Sequence, residues 1–197
     1  MCGFAELNRI IVRENCVATA GEKSAPVVGD HLCTNPHVVA TRCVTIDAAP
    51  DAVFPWIRQM GFGRAGWYSH DWIDNLGRRS ADRLHDEWQD VETGSKVPGG
   101  PIDFTAAIVE APRAFVLQMG DDSQRLNFTL AYELREIEAD GHTKTRLVTR
   151  MRARVPGGRV LGAAVARGLL GPGDGVMVRK QLRTLAIRIR IVSQKGL

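Results

Sequence analysis

The sequence predicts an α+β domain, an antiparallel meander with its helices gathered on one side. Three observations predict it. Two long runs alternate apolar and polar residues on either side of Asp140-Gly141, a segment near the C-terminus carries an apolar stripe at helical spacing, and an early strand-like run is followed by two helical stretches.

The hairpin is the clearest element. Leu126, Phe128, Leu130, Tyr132 and Leu134 alternate before the turn, and Leu147, Thr149, Met151 and Ala153 alternate after it. Asp-Gly is a preferred two-residue hairpin turn. Setting Leu134 opposite Leu147 also sets Tyr132 opposite Thr149 and Leu130 opposite Met151, so both apolar sets fall on one face. In the C-terminal segment Val178, Leu182, Leu185, Ile189 and Val192 form one stripe, with Arg179, Lys180, Arg183 and Arg190 off it. Such a helix is expected to lay its stripe on the sheet and expose its charges. The small-residue stretch from Gly157 to Gly173 separates the two.

Earlier in the chain, VVATRCVTI alternates as a strand, and Ala49-Pro50-Asp51 opens a helix whose Val53, Trp56, Ile57 and Met60 share a face. Pro55 lies early enough to bend that helix without breaking it. A short second helix follows. Ile102, Phe104, Ala106 and Ile108 are expected on one face of the next strand, and Phe115, Leu117 and Met119 on one face of the strand after Ala111-Pro112. Residues 1–35 mix Gly, Pro, Ser, Asn and charge without a period and read as a partly ordered N-terminal arm. Residues 36–197 then form a single domain.

A chain of 197 residues is long enough for one sizeable core. No apolar run approaches the roughly 18 residues of a spanning helix, and MCGFAELNRI lacks a signal peptide's basic start and long apolar middle. A soluble, cytoplasmic protein is expected. Cys2, Cys16, Cys33 and Cys43 are widely spaced, with no C-x-x-C and no zinc-like His pair, and read as reduced thiols. The net charge of +4 comes from 21 Arg and 5 Lys against 22 acidic residues, spread over every segment. A nucleic-acid footprint should cluster, so no nucleic-acid partner is expected. Lys144, Arg146, Arg150, Arg152 and Arg154 do share one face of the last strand, and the expectation there is a solvated sheet face. Glu133 lies diagonal to Arg146, while Arg135 directly facing Arg146 has no explanation in the sequence.

The motif GFGRAG, Gly61 to Gly66, has dinucleotide-loop spacing but follows a helix, and the region about 20 residues on, ADRLHDEWQ, shows no strand. It reads as a turn between helices. In YSHDWIDNLG, Ser69 is expected as N-cap, Asp71 and Asp74 as charges favouring the helix start, Tyr68 and Ile73 as a hydrophobic staple, and Gly77 as the stop. Capping leaves Trp67, Tyr68 and Trp72 unexplained, together with Trp88 further on; such aromatics suit a ligand cavity wall and a core alike. Tyr68, His70, Asp71 and His85 are the acid-base candidates, which geometry must decide.

The runs VATRCVTIDAAPDAVFPWIRQMGFGRAGWYSHDWIDNL, HDEWQDVETGSKV and PGDGVMVRKQL resemble the bacterial branch of the START-like, polyketide-cyclase superfamily known as SRPBCC. The likeness spans roughly Gly29 to Arg190, and the ending IRIRIVSQKGL departs from it. The resemblance implies a helix-grip fold, in which a curved antiparallel sheet wraps around a long C-terminal helix and leaves a cavity between them. It implies apolar small-molecule ligands, lipid-like or polyketide-like, with cyclisation or dehydration in some members, and no common catalytic residues. Two readings follow. One is a binding module with Trp67, Tyr68, Trp72, Trp88, Phe104, Phe115, Phe128 and Tyr132 as ligand-lining residues; the other is a cyclase- or dehydratase-type enzyme using Tyr68, Asp71 or His85. Neither a cofactor nor a metal is expected, and oligomeric state stays open.

Overall fold

The computed structural model describes residues 16–124, 126–157 and 171–195. The alternating runs become a six-stranded antiparallel sheet: β1 (Val38–Ile46), β2 (Lys96–Val97), β3 (Phe104–Glu110), β4 (Ala114–Gly120), β5 (Asn127–Ala139) and β6 (His142–Arg154), in the order β1-β6-β5-β4-β3-β2. Among the described residues four α-helices accompany it: α1 (Ala20–Ser24), α2 (Pro50–Arg58), α3 (Asp71–Asp74) and the long α4 (Gly171–Lys195). This is a helix-grip α+β fold, with the curved sheet gripping α4. The stretch Gly157–Gly173 expected as a break lies mostly outside the described residues.

The hairpin has the register that its alternation dictates, with Leu134 opposite Leu147, Tyr132 opposite Thr149 and Leu130 opposite Met151. Asp140 and Gly141 both take positive φ, 55° and 74°, as a primed two-residue turn requires. On the concave side, Val44, Ile46, Phe115, Leu117, Tyr132, Leu134 and Leu147 form one core with Val53, Trp56 and Ile57 of α2 and Leu182, Leu185 and Ile189 of α4. Val192, the last residue of the stripe, is exposed. In β3 the parity expected from the sequence breaks, because a register shift falls between Ala106 and Ile108. A bulge carries one extra residue, so Ala106 and Val109 pack in the concave core while Ile108 joins the opposite face. Ile102 precedes the strand and is exposed.

The opposite, convex face is not solvated as expected. Ala18–Asn35, assigned from the sequence to a partly ordered arm, packs across it, and Ala18, Val27, Cys43, Val116, Ala131 and Val148 form a second small apolar cluster beneath. The arginines of β6 are the fastening. Arg150, with its side chain only 4% exposed, donates to Ala25 O, Glu22 O, Lys23 O, Thr41 Oγ1 and the Asp30 carboxylate. Arg146 pairs with Glu22 through two nitrogens, at 2.7 and 3.1 Å, and Arg152 donates to Cys33 O. The opposed Arg135 and Arg146 thereby have separate partners: Arg135 binds Glu133, whose other oxygen accepts the Val28 amide. A one-sided reading of the sheet missed this because the partner carboxylates come from more than 100 residues earlier in the chain.

Candidate functional site

Between the turn before α3, the strands β3 and β5, and the N-terminal half of α4 lies a cavity of about 210 Å³. Trp67, Phe104, Phe128, Leu130, Met177 and Val178 form its apolar wall, and Ser69, Asp74 and Gln181 bring polar atoms to it. The aromatic rings run in series: Trp67 meets Phe104 edge-on at 5.7 Å between centroids, and Phe104 meets Phe128 at 6.0 Å.

The GFGRAG segment positions one end of this wall. Gly61 and Gly66 bond each other in both directions, and the amides of Phe62, Gly63, Arg64 and Ala65 go to Pro98 O, Asn75 Oδ1, Gly61 O and Gln59 O. A phosphate cradle needs amides that point at the ligand; here every one from Gly61 to Gly66 has an internal acceptor. Gly66 is also required by space, since at φ +72° a Cβ would come 2.5 Å from Ser80 Oγ. The segment is a tight turn, and it delivers Trp67 to the cavity.

Helix α3 differs from its expected capping. It begins at Asp71, its N-cap position is His70, and no side chain caps it. Ser69 lies one residue too early and donates instead to Met177 O of α4 at 2.9 Å, tying the turn to the long helix. Asp71 accepts from both the amide and the hydroxyl of Ser80. The Tyr68–Ile73 staple does not form: Tyr68 is fully buried and Ile73 is exposed. Gly77 does follow the helix, at φ +79°, with its amide bonded to Asp71 O.

Of the eight residues expected to line a ligand, Trp67, Phe104 and Phe128 line the cavity. Phe115 and Tyr132 are core residues on the same concave face, and the Tyr132 hydroxyl donates to Gln181 Oε1 at 3.1 Å. Tyr68 is buried beside Trp56, and its hydroxyl accepts a 2.6 Å hydrogen bond from Gln59 Nε2. Burial pushes that phenol up to about 12, against Gln59 and Arg188, which lower it. Trp88 is half-buried and stacked on His85 at 4.3 Å, away from the cavity. Trp72 is the clear correction. It is 75% exposed, on the outward side of the single-turn helix α3 that also leaves Ile73 exposed.

Asp74 is the residue that sequence reasoning passed over. Read as one of two helix-start carboxylates, it lines the cavity with both oxygens out of water and without a hydrogen-bond partner among the described residues. Burial, reinforced by the Asp71 carboxylate, pushes it up to about 6, while its own amide and His70 pull more weakly the other way. No sequence signal separated it from Asp71; only the partnering of Asp71 with Ser80 does.

No protein-family model matches the chain, and no curated protein matches it. Solved structures similar to it include protein MLL2253 from Mesorhizobium loti, at 13% identity and TM-score 0.41, covering 77% of this chain and 98% of that one. Another is a polyketide-cyclase-like protein from Corynebacterium glutamicum, at 12% identity and TM-score 0.35, covering 82% and 94%. A third is a point mutant of norcoclaurine synthase from Thalictrum flavum bound to a transition-state analogue, at 9% identity and TM-score 0.40, covering 78% and 96%. No helix among the described residues is long and apolar enough to cross a membrane. The helix-grip architecture itself rests on the strand order and on the position of α4 beneath the concave face.

Proposed function

We propose that the protein binds a small apolar or amphipathic molecule in the cavity between β3, β5 and α4. The observation that carries this is an aromatic-walled space where the concave core would otherwise close. Its 210 Å³ indicates the size of what enters. A cavity of roughly 150 Å³ holds benzene, and drug-sized ligands occupy about 300 Å³ or more. One ring with a short substituent fits inside, and a lipid-like or polycyclic polyketide-like ligand would seat one end there and extend through the opening.

The enzyme reading has less support. Tyr68, Asp71 and His85 are engaged by Gln59, Ser80 and Trp88, and none of the three lines the cavity. Fold analogy supplies no chemistry by itself. The test of the binding reading is calorimetric titration with ethylbenzene as probe. Val178→Phe, which fills the space, should abolish binding, whereas Trp72→Ala should leave it unchanged. Equal ethylbenzene binding by a folded Val178→Phe protein would place any ligand elsewhere.

A further inference from the structure

The polar groups of the cavity are not equivalent. Ser69 is committed to Met177 O, and Gln181 is committed at both ends, its oxygen to Tyr132 and its nitrogen to Trp67 O at 2.9 Å. Asp74 alone among the three has two buried oxygens and no hydrogen-bond partner among the described residues. Among the described residues no Lys, Arg or His lines the cavity. A carboxylate withdrawn from water and left without a donor opposes folding unless something pairs with it, and native proteins seldom leave such a group without a reason. The walls beside it are the faces and edges of Trp67, Phe104 and Phe128, and aromatic faces attract cations.

We infer that the ligand of this cavity carries a cationic centre, an ammonium group on an aromatic or short apolar body, with Asp74 as its counter-ion and the Trp67–Phe104–Phe128 wall holding the body. This rests on the cavity being the binding site, and it narrows the ligand from any apolar molecule to an amphipathic amine. The ammonium would donate to the two orphaned oxygens, so binding would satisfy the group that the empty protein leaves unsatisfied. A neutral ligand of the same shape would fill the space and leave Asp74 as it is.

A matched pair of probes separates this inference from the reading beneath it. Benzylamine and ethylbenzene have nearly the same shape and differ in charge. In calorimetric titrations at pH 7.5 benzylamine should bind at least about tenfold more tightly than ethylbenzene, the scale of a charge-assisted hydrogen bond formed out of water. Asp74→Asn should remove that preference, bringing the affinities of the two probes together. The unaltered protein offers a second measurement that depends on no substitution. Benzylamine, an alkylammonium, keeps its charge well below pH 7, so its advantage should fall as the pH is lowered from 7.5 to 5 and Asp74 takes up a proton. Among the described residues, the other titratable groups acting on Asp74 are Asp71 and His70 of its own segment; the facing walls from β3, β5 and α4 contribute Phe104, Phe128, Leu130, Met177, Val178 and Gln181, all uncharged. Ethylbenzene binding with equal or weaker benzylamine binding overturns the cationic ligand and leaves the apolar site standing. Failure of both probes overturns both.

Discussion

On β6, Leu147, Met151 and Ala153 point to the concave side, while Arg146, Arg150 and Arg152 face the N-terminal segment, each one residue from its apolar neighbour. The same strand is thus covered on both sides by different physics. The concave side is held by non-directional burial, at about 1.5 to 3 kcal/mol for each large side chain, and tolerates a gap of 210 Å³ near one end. The convex side is held by directional bonds from the guanidinium groups of β6 to four backbone carbonyls and two carboxylates, which fix where residues 22–33 lie. A surface that must accommodate a ligand benefits from the first kind of contact, and a covering segment that must not slide benefits from the second.

Arg150 makes the most hydrogen bonds on the convex face. Replacing it by Ala removes the guanidinium donors to the carbonyls of Glu22, Lys23 and Ala25 and leaves Asp30, among the described residues, with only the Val27 amide and Arg152 at 3.4 Å, so a loss of about 3 to 5 kcal/mol is expected, the usual range when one partner of a buried pair is removed. Hydrogen exchange should show residues 18–33 losing protection before the concave core does. A loss under about 1 kcal/mol in denaturant titration would mean that the segment is held by its small apolar cluster instead.

The concave counterpart is Leu185, fully buried under the sheet. Leu185→Ala should cost about 2 to 5 kcal/mol, the spread reflecting how far the site can collapse around the lost volume. Exchange protection should fall across β1, β5 and α2 together, since these elements share one cluster with α4. A loss below about 0.5 kcal/mol, typical of exposed positions, would show that α4 is not docked.

What the sequence disclosed of this arrangement follows the range of the forces involved. Hairpin register was readable because the turn and the alternation on both sides act locally, and Leu134 meets Leu147 as the parity demands. The α4 stripe was readable because a helix repeats its own face. The bulge at Ala106/Ile108 was not, since nothing in an alternating run marks where one extra residue is inserted. The partners of Arg146 and Arg150 were not readable either, because Glu22 and Asp30 meet them only after the chain has folded back. For the candidate site, composition pointed to the right aromatic stretch, and Trp67 lines the cavity. It could not separate Trp67 from Trp72, or Asp74 from Asp71, because each pair shares a local pattern and differs only in what it faces.

The two faces should also respond to acid with opposite sign. On the convex side, hydrogen bonds from Arg146 hold the Glu22 carboxyl down at about 2, against 4.5 as its ordinary value. A depressed carboxyl contributes stability that is fully present above 4.5 and is lost as the pH falls through about 2. On the concave side Asp74 has the opposite sign. Raised to about 6 from 3.8, it opposes folding at neutral pH, and that penalty is relieved as the pH falls from about 6 towards 3.8. Acid should therefore relieve the concave face before it loosens the convex one. Asp74→Asn, which removes the charge and keeps the shape, should be more stable than the parent at pH 7.5 by up to about 1 kcal/mol once partial exposure is allowed for, with the difference vanishing near pH 4. Glu22→Gln should be less stable at pH 7.5 and should approach the parent only near pH 2. Urea unfolding of the three proteins at half-unit steps of pH measures both slopes. If the Asp74→Asn curve runs parallel to the parent's between pH 7.5 and 4, the carboxylate is already paired or hydrated in the folded protein, and the charge asymmetry assigned to the concave face does not exist.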